Sequence, residues 1–223
     1  MDWLLLILPL IICIAAQINV QSTYAKYHKV KNARGLTGAE VARRILDSNG
    51  LTYVGVEMVH GNLSDHFDPR ANVVRLSESV YSETSVAALG VAAHECGHAV
   101  QHAESYGPLV LRSNLVPVTN FCSTAWYLLF VLGLFFSSSA LGRGMISLGI
   151  ILFAVVAFFQ LVTLPVEFNA SRRAMHILET QGYLEGNEVT GANKVLKAAA
   201  LTYVAALLHS LMQLLRLIRI SRD

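Results

Sequence analysis

The sequence predicts a mainly α, multi-pass membrane protein: helical spans plus one small α+β domain on the cytoplasmic face. Three observations carry this. The 223 residues are 54% hydrophobic and only 14% charged, with a mean hydropathy of +0.49, whereas soluble domains run nearer a quarter charged. The apolar residues gather in four blocks instead of spreading evenly. Between the first two blocks lies residues 21–114, of ordinary soluble composition and holding most of the charge. So apolar a chain is not disordered, and a net charge of +2 leaves no electrostatic footprint for nucleic acid.

The first block, residues 3–20, is almost unbroken. Its start carries Asp2 and no Lys or Arg, and Ile14-Ala15-Ala16 is a poor cleavage site, so an uncleaved anchor over residues 1–20 is expected rather than a signal peptide. Blocks 115–136 and 145–166 are each close to the roughly 20 residues that cross about 30 Å of hydrocarbon, and form a hairpin over 115–166. Lys26, Lys29, Lys31, Arg34, Arg112, Arg172 and Arg173 then fall on one side, which the positive-inside rule makes cytoplasmic. The fourth block, in residues 198–223, carries Tyr203, His209, Ser210 and Gln213. If it spans, Arg216, Arg219 and Arg222 lie outside, against that rule, so a packed or interfacial helix remains the alternative. Three cysteines cannot form a paired framework, which fits a reduced cytoplasmic face.

Within the soluble segment, Thr37-x-x-Glu40 is a capping box and opens a helix that Gly50 stops. Residues 52–59 and 72–76 are β-branched and read as strands, separated by the turn chemistry of Gly61-Asn62 and Asp68-Pro69. A longer helix is expected over about 82–105, with Ser82, Thr84 or Ser85 as cap and Gly107-Pro108 as its end.

That helix contains His94-Glu95-Cys96-Gly97-His98. Histidines at i and i+4 share one helix face, so two imidazoles can reach one metal ion. The glutamate beside them can take a proton from a metal-activated water. Zinc suits two nitrogens plus a carboxylate with one position left open. No metzincin extension follows, and His102 sits a turn too far on to be a ligand. Glu167 is the remaining candidate: a carboxylate at the boundary of an apolar block is costly unless solvated or paired, and the topology returns it to the face of His94 and His98.

The motif, the hairpin and the Glu-x-x-Ala segment resemble the gluzincin membrane peptidases of the HtpX and CAAX-prenyl protease type. A closer resemblance is to the bacterial neutral zinc metallopeptidases called YugP-like. It rests on Leu36-Thr-Gly-Ala-Glu-Val-Ala-Arg, Asp65-His-Phe-Asp-Pro-Arg70, residues 91–102, Pro165-Val-Glu-Phe-Asn-Ala-Ser-Arg-Arg173 and Ala198-Ala-Ala-Leu-Thr-Tyr-Val-Ala205, nearly the whole chain. The resemblance implies a zincin-like cytoplasmic domain over 21–114 and a third-ligand helix and loop over 167–197. It implies one zinc ion held by His94, His98 and Glu167, with Glu95 as general base, hydrolysing peptide bonds of protein substrates at the membrane. By analogy the setting is membrane protein quality control. Where the wider pattern has an Asp after Glu-x-x-Ala, this chain has Ser171, which can still make one hydrogen bond to a ligand.

Weaker features complete the list. Arg172 is an orientation charge or a substrate contact; Tyr203 and His209 are interfacial or core residues, or oxyanion donors. Asp65, His66 and Asp68 form a turn or a second metal site. Cys96 is a small buried residue or a redox switch. Asn62-x-Ser64 and Asn169-x-Ser171 match glycosylation acceptors that mean nothing on a cytoplasmic face. Asn72, Val73, Val74, Arg75 and Leu76 are expected to form an exposed edge strand to which an extended peptide adds. Two rivals to the peptidase are a non-catalytic zinc-stabilised membrane scaffold and an intramembrane protease of the site-2 class. The second lacks the Leu-Asp-Gly-like segment it would need.

Overall fold

The computed structural model describes residues 2–222. It is mostly helical, with the order α1 (Asp2–His28), α2 (Gly38–Ser48), β1 (Gly55–Val59), β2 (His66–Asp68), β3 (Val73–Ser77), α3 (Glu78–Tyr81), α4 (Val86–Ala103), α5 (Gly107–Phe135), α6 (Ala140–Thr180) and α7 (Asn187–Ile220). Among the described residues, four helices, α1, α5, α6 and α7, are long and apolar enough to cross a membrane. The chain divides into two compact units, one of residues 1–16, 110–165 and 202–223, the other of residues 17–109 and 166–201.

In the first unit, α5 and α6 form a tight apolar hairpin. A side chain at Gly133 would sit 2.7 Å from Ile146 Cγ1 and 2.8 Å from the Gly142 carbonyl oxygen. Only glycine allows the backbones this close, the usual device of packed apolar helices. Phe130, Ile146, Phe153 and Leu217 make the buried core, and Trp126 meets Phe153 edge-on at 4.7 Å. Phe121, Leu128, Phe135 and Ile151 point outward, as apolar side chains do when lipid is the solvent.

The second unit holds the small sheet and the helices around it. α2 starts as its capping box dictates: Thr37 Oγ1 accepts from Glu40 N–H at 3.2 Å, and Glu40 Oε2 accepts from Thr37 N–H at 2.8 Å. Gly50 follows the helix with φ +73°, a conformation that costs glycine nothing. Val41, Ala42, Ile45 and Leu46 form one face of α2 and are fully buried with Leu89 and Ala93 of α4. Of the three candidate caps for α4, Ser85 serves, accepting from Ala88 N–H at 3.1 Å.

The sheet has the order β1-β3-β2, β1 parallel and β2 antiparallel to β3. This corrects one expectation. Val73, Val74, Arg75 and Leu76 lie in the central strand, and Asn72 just precedes it. Val73, Val74 and Arg75 are paired on both sides, to Gly55, Val56 and Glu57 and to Asp68, Phe67 and His66, so they leave no free edge there for a peptide. β2 and β1 are the edges. Two more local readings shift. Gly107-Pro108 opens α5 rather than only ending α4, because proline fits the first helical turn, where its missing N–H has no partner to lose. α6 also runs on through Pro165 to Thr180, so Glu167 lies inside a continuous helix.

Candidate metal centre

The two histidines reach the same place because α4 is helical through its motif. His94 and His98 are one turn apart, with ring centroids 4.7 Å from each other and edge to face. The third candidate donor comes from α6, which packs directly on α4 at Gly97. A side chain there would lie 2.8 Å from the Ala170 carbonyl oxygen. This contact brings Glu167, one turn before Ala170, against the histidines. Its Oε2 lies 3.3 Å from His94 Nε2 and 3.5 Å from His98 Nε2. The atoms that His94, His98 and Glu167 could offer to a metal all fall within 4.8 Å of one another. Among the described residues this is the only group of three or more such side chains able to hold a metal ion.

The outer nitrogens are engaged separately. Ser171 Oγ lies 3.1 Å from His94 Nδ1. Gln101 Oε1 lies 3.0 Å from His98 Nδ1. The orientation of Gln101 follows from its other end, where Nε2 donates to the Val166 carbonyl at 2.8 Å and to Asn169 Oδ1 at 2.9 Å. The amide oxygen therefore faces His98 and can only accept. That requires a proton on His98 Nδ1 and, in the neutral ring, leaves the Nε2 lone pair towards Glu167 and the cluster. Asn169 Oδ1 also accepts from Arg173 Nε at 2.8 Å, and Arg173 Nη2 meets Glu104 Oε2 at 2.7 Å. A chain of polar contacts thus locks α4 to α6 behind the site.

The electrostatics favour a cation. Burial works against a charged His98, but the hydrogen bond and charge of Glu167 and the charge of Glu95 outweigh it and raise its pKa. Glu95 is buried on α4, and its charge also reaches Asp65, whose pKa is raised by burial first and by Glu95 in addition. Two imidazole nitrogens and one carboxylate, with the outer nitrogens of the rings held by neighbours, are a donor set that fits zinc.

The other candidates fall elsewhere. Arg172 is exposed on α6. Tyr203 and His209 belong to the first unit, His209 exposed. Asp65, His66 and Asp68 do not converge on a metal site. Asp65 accepts from Ser77 N–H at 2.7 Å and from its hydroxyl, and His66 Nδ1 meets the Ser64 carbonyl. The Arg75 guanidinium, 2.7 Å away, holds the Asp68 carboxyl down at about 2. Cys96 is fully buried with its thiol on the Ala42 carbonyl, and burial raises its pKa, so it stays an unreactive thiol. Sequence reasoning missed Gln101. Its place at i+3 from His98, on the same helix face, was the available signal.

The comparisons with known proteins agree with this geometry. The family described as "Putative neutral zinc metallopeptidase" matches residues 2–222. The chain belongs to that family. It is 57% identical over 205 residues to the Bacillus subtilis (strain 168) protein named "Putative membrane protease YugP", covering 92% of this chain and 89% of that protein. No solved structure matches. Membership in a zinc peptidase family implies zinc, and in this metallopeptidase-family chain the His94, His98 and Glu167 cluster is where a metal fits.

Proposed function

We propose that this chain is a multi-pass membrane zinc endopeptidase, its site at the cytoplasmic surface, that hydrolyses peptide bonds of protein substrates. The observation that carries the reading is the convergence of His94, His98 and Glu167 beside Glu95. On this reading His94 Nε2, His98 Nε2 and one Glu167 oxygen hold a single zinc ion. Zinc bound there supplies Lewis acidity, which polarises the substrate carbonyl and lets water ionise near neutral pH. Glu95 takes the proton from the attacking water and delivers it to the leaving amine. Gln101 and Ser171 keep the two imidazoles in the orientation that faces Glu167. The positive residues flanking the apolar helices, Lys26, Lys29, Arg112 and Arg172 among them, support the cytoplasmic placement.

The experiment is zinc stoichiometry and peptide hydrolysis on detergent-purified protein. The wild type is expected to hold one zinc per chain and to cleave an unfolded protein such as casein, with loss of activity on chelation. Glu167→Ala is expected to lower zinc affinity by more than about 100-fold, beyond the range for losing an outer hydrogen-bond partner. Unchanged affinity in that variant would remove Glu167 from the ligand set. Gln101→Leu keeps all three donors but frees the His98 ring. We expect its zinc affinity to fall about 10- to 100-fold, measured by competition with a chromogenic chelator. A wild-type value would mean that the Gln101 contact does not orient the ring.

A further inference from the structure

α6 and α7 line a groove of about 460 Å³ within the second unit. That volume lies in the range, about 300–1,000 Å³, of pockets that take small ligands. Its apolar surface comes from Phe168 and Met175 of α6 and from Leu196 and Leu201 of α7. Arg172 and Lys197 add one cation from each wall, and among the described residues no acidic side chain lines the groove. Both cations are exposed, whereas the neighbouring Arg173 is bound to Asn169 and Glu104.

The order of these residues along each helix selects the ligand. α6 leaves its apolar block at position 166 and meets first Phe168, then Arg172 one turn further on. α7 repeats the order in reverse: reading outward from its apolar block, Leu201 comes first and Lys197 one turn beyond it. Each wall thus carries a large apolar side chain at the end next to its block, and a cation about 6 Å further out along the helix. Phe168 and Leu201 are 44% and 50% exposed, so the chain itself does not cover that apolar end. Inorganic phosphate would satisfy the cations and leave the apolar surface bare, and an uncharged lipid would do the opposite. An amphiphile with an anionic head satisfies both. We infer that the groove binds an anionic phospholipid, its acyl chain against Phe168 and Leu201 and its phosphate between Arg172 and Lys197. Basic pockets between helices at the membrane face hold anionic headgroups in this way. The inference rests on α6 and α7 crossing the membrane and makes no use of the peptidase reading.

The test places the full-length protein in nanodiscs of phosphatidylcholine and phosphatidylglycerol in equal amounts and reads the lipid retained per chain by native mass spectrometry. One phosphatidylglycerol is expected to stay bound, preferred over phosphatidylcholine by about 25-fold, from about fivefold for each basic residue at the headgroup. Arg172→Gln together with Lys197→Gln should abolish the preference; both side chains are exposed, so packing is left alone. Ala200→Phe, which fills the groove, should lower retention while both cations remain. If that variant fails to fold, the charge pair and its control still decide. The control is Lys29→Gln with Lys194→Gln, which removes the same charge from exposed positions elsewhere and should keep the preference. Equal retention of the two lipids overturns the proposal, as does a preference that survives the Arg172 and Lys197 changes. A control pair that lowers the preference as much also overturns it, because diffuse surface charge is then the cause. So does displacement of the lipid by millimolar inorganic phosphate, which assigns the cations to a soluble anion. A chain that does not insert into the discs overturns the membrane reading and the proposal together, whereas insertion without lipid preference overturns the proposal alone.

Discussion

Glu95→Gln is expected to keep wild-type zinc content and to lose peptide hydrolysis by at least about 100-fold, the lower end of what a positioned general base contributes. Gln keeps the size and polarity of Glu, so α4 should pack as before; Glu95 is already buried there between the two ligand positions. What goes is the ability to accept a proton. The three donors proposed for the metal do not include Glu95, so metal binding and turnover separate cleanly. Metal analysis and initial rates on the same preparation read both. Hydrolysis at the wild-type rate would exclude Glu95 as the base, and loss of zinc together with activity would mean that Glu95 acts structurally.

Gly97→Val is expected to weaken zinc binding by more than about tenfold and to lower thermal stability by about 1–3 kcal/mol, the usual cost of overpacking. Gly97 touches no ligand. Its effect comes from α6, since a Cβ at Gly97 would lie 2.8 Å from the Ala170 carbonyl oxygen and 3.2 Å from Ala170 Cα. Both are backbone atoms in the middle of a 41-residue helix, so no side chain can swing aside. α4 and α6 must part, and Glu167 moves off His94 and His98 with α6. Gly107→Ala is the control, because a Cβ there meets nothing within 4 Å. A wild-type zinc affinity in Gly97→Val would show that close packing of the two helices is not what assembles the ligands.

How much of the protein was legible in advance follows the range of the interaction. The Thr37–Glu40 capping box and the Gly50 stop each depend on a few contiguous residues, and both form as read. The four apolar blocks were legible for the same reason, since length and composition are local sums. Two of the three strands, β1 and β3, were legible in their β-branched runs; β2 was not. β2 is three residues in a stretch full of turn signals, and only its pairing with β3 makes it a strand. Once β2 pairs there, the segment expected at the edge becomes the centre. α3, four residues long, was missed because so short a helix has no period to detect. The fourth apolar block was ambiguous because α7 serves both units. Ala192 and Leu196 are buried in the core of the second unit, and Leu217 in that of the first.

Sequence alone determined the chemistry on offer. The spacing His94-x-x-x-His98 on a helix compels two imidazoles onto one face, and the excess of apolar residues over charge, split into blocks, compels a membrane reading. Together they made Glu167 the candidate for a third donor, across the whole apolar hairpin from His98, but neither could say what packs the two helices together there. Tertiary structure decided that, through a contact of backbone on backbone at Gly97 and Ala170 that no local pattern encodes. It also decided which ring nitrogens face the cluster. Gln101, Asn169 and Arg173 are unremarkable letters until α4 and α6 meet, and only then do their hydrogen bonds leave one orientation for His98.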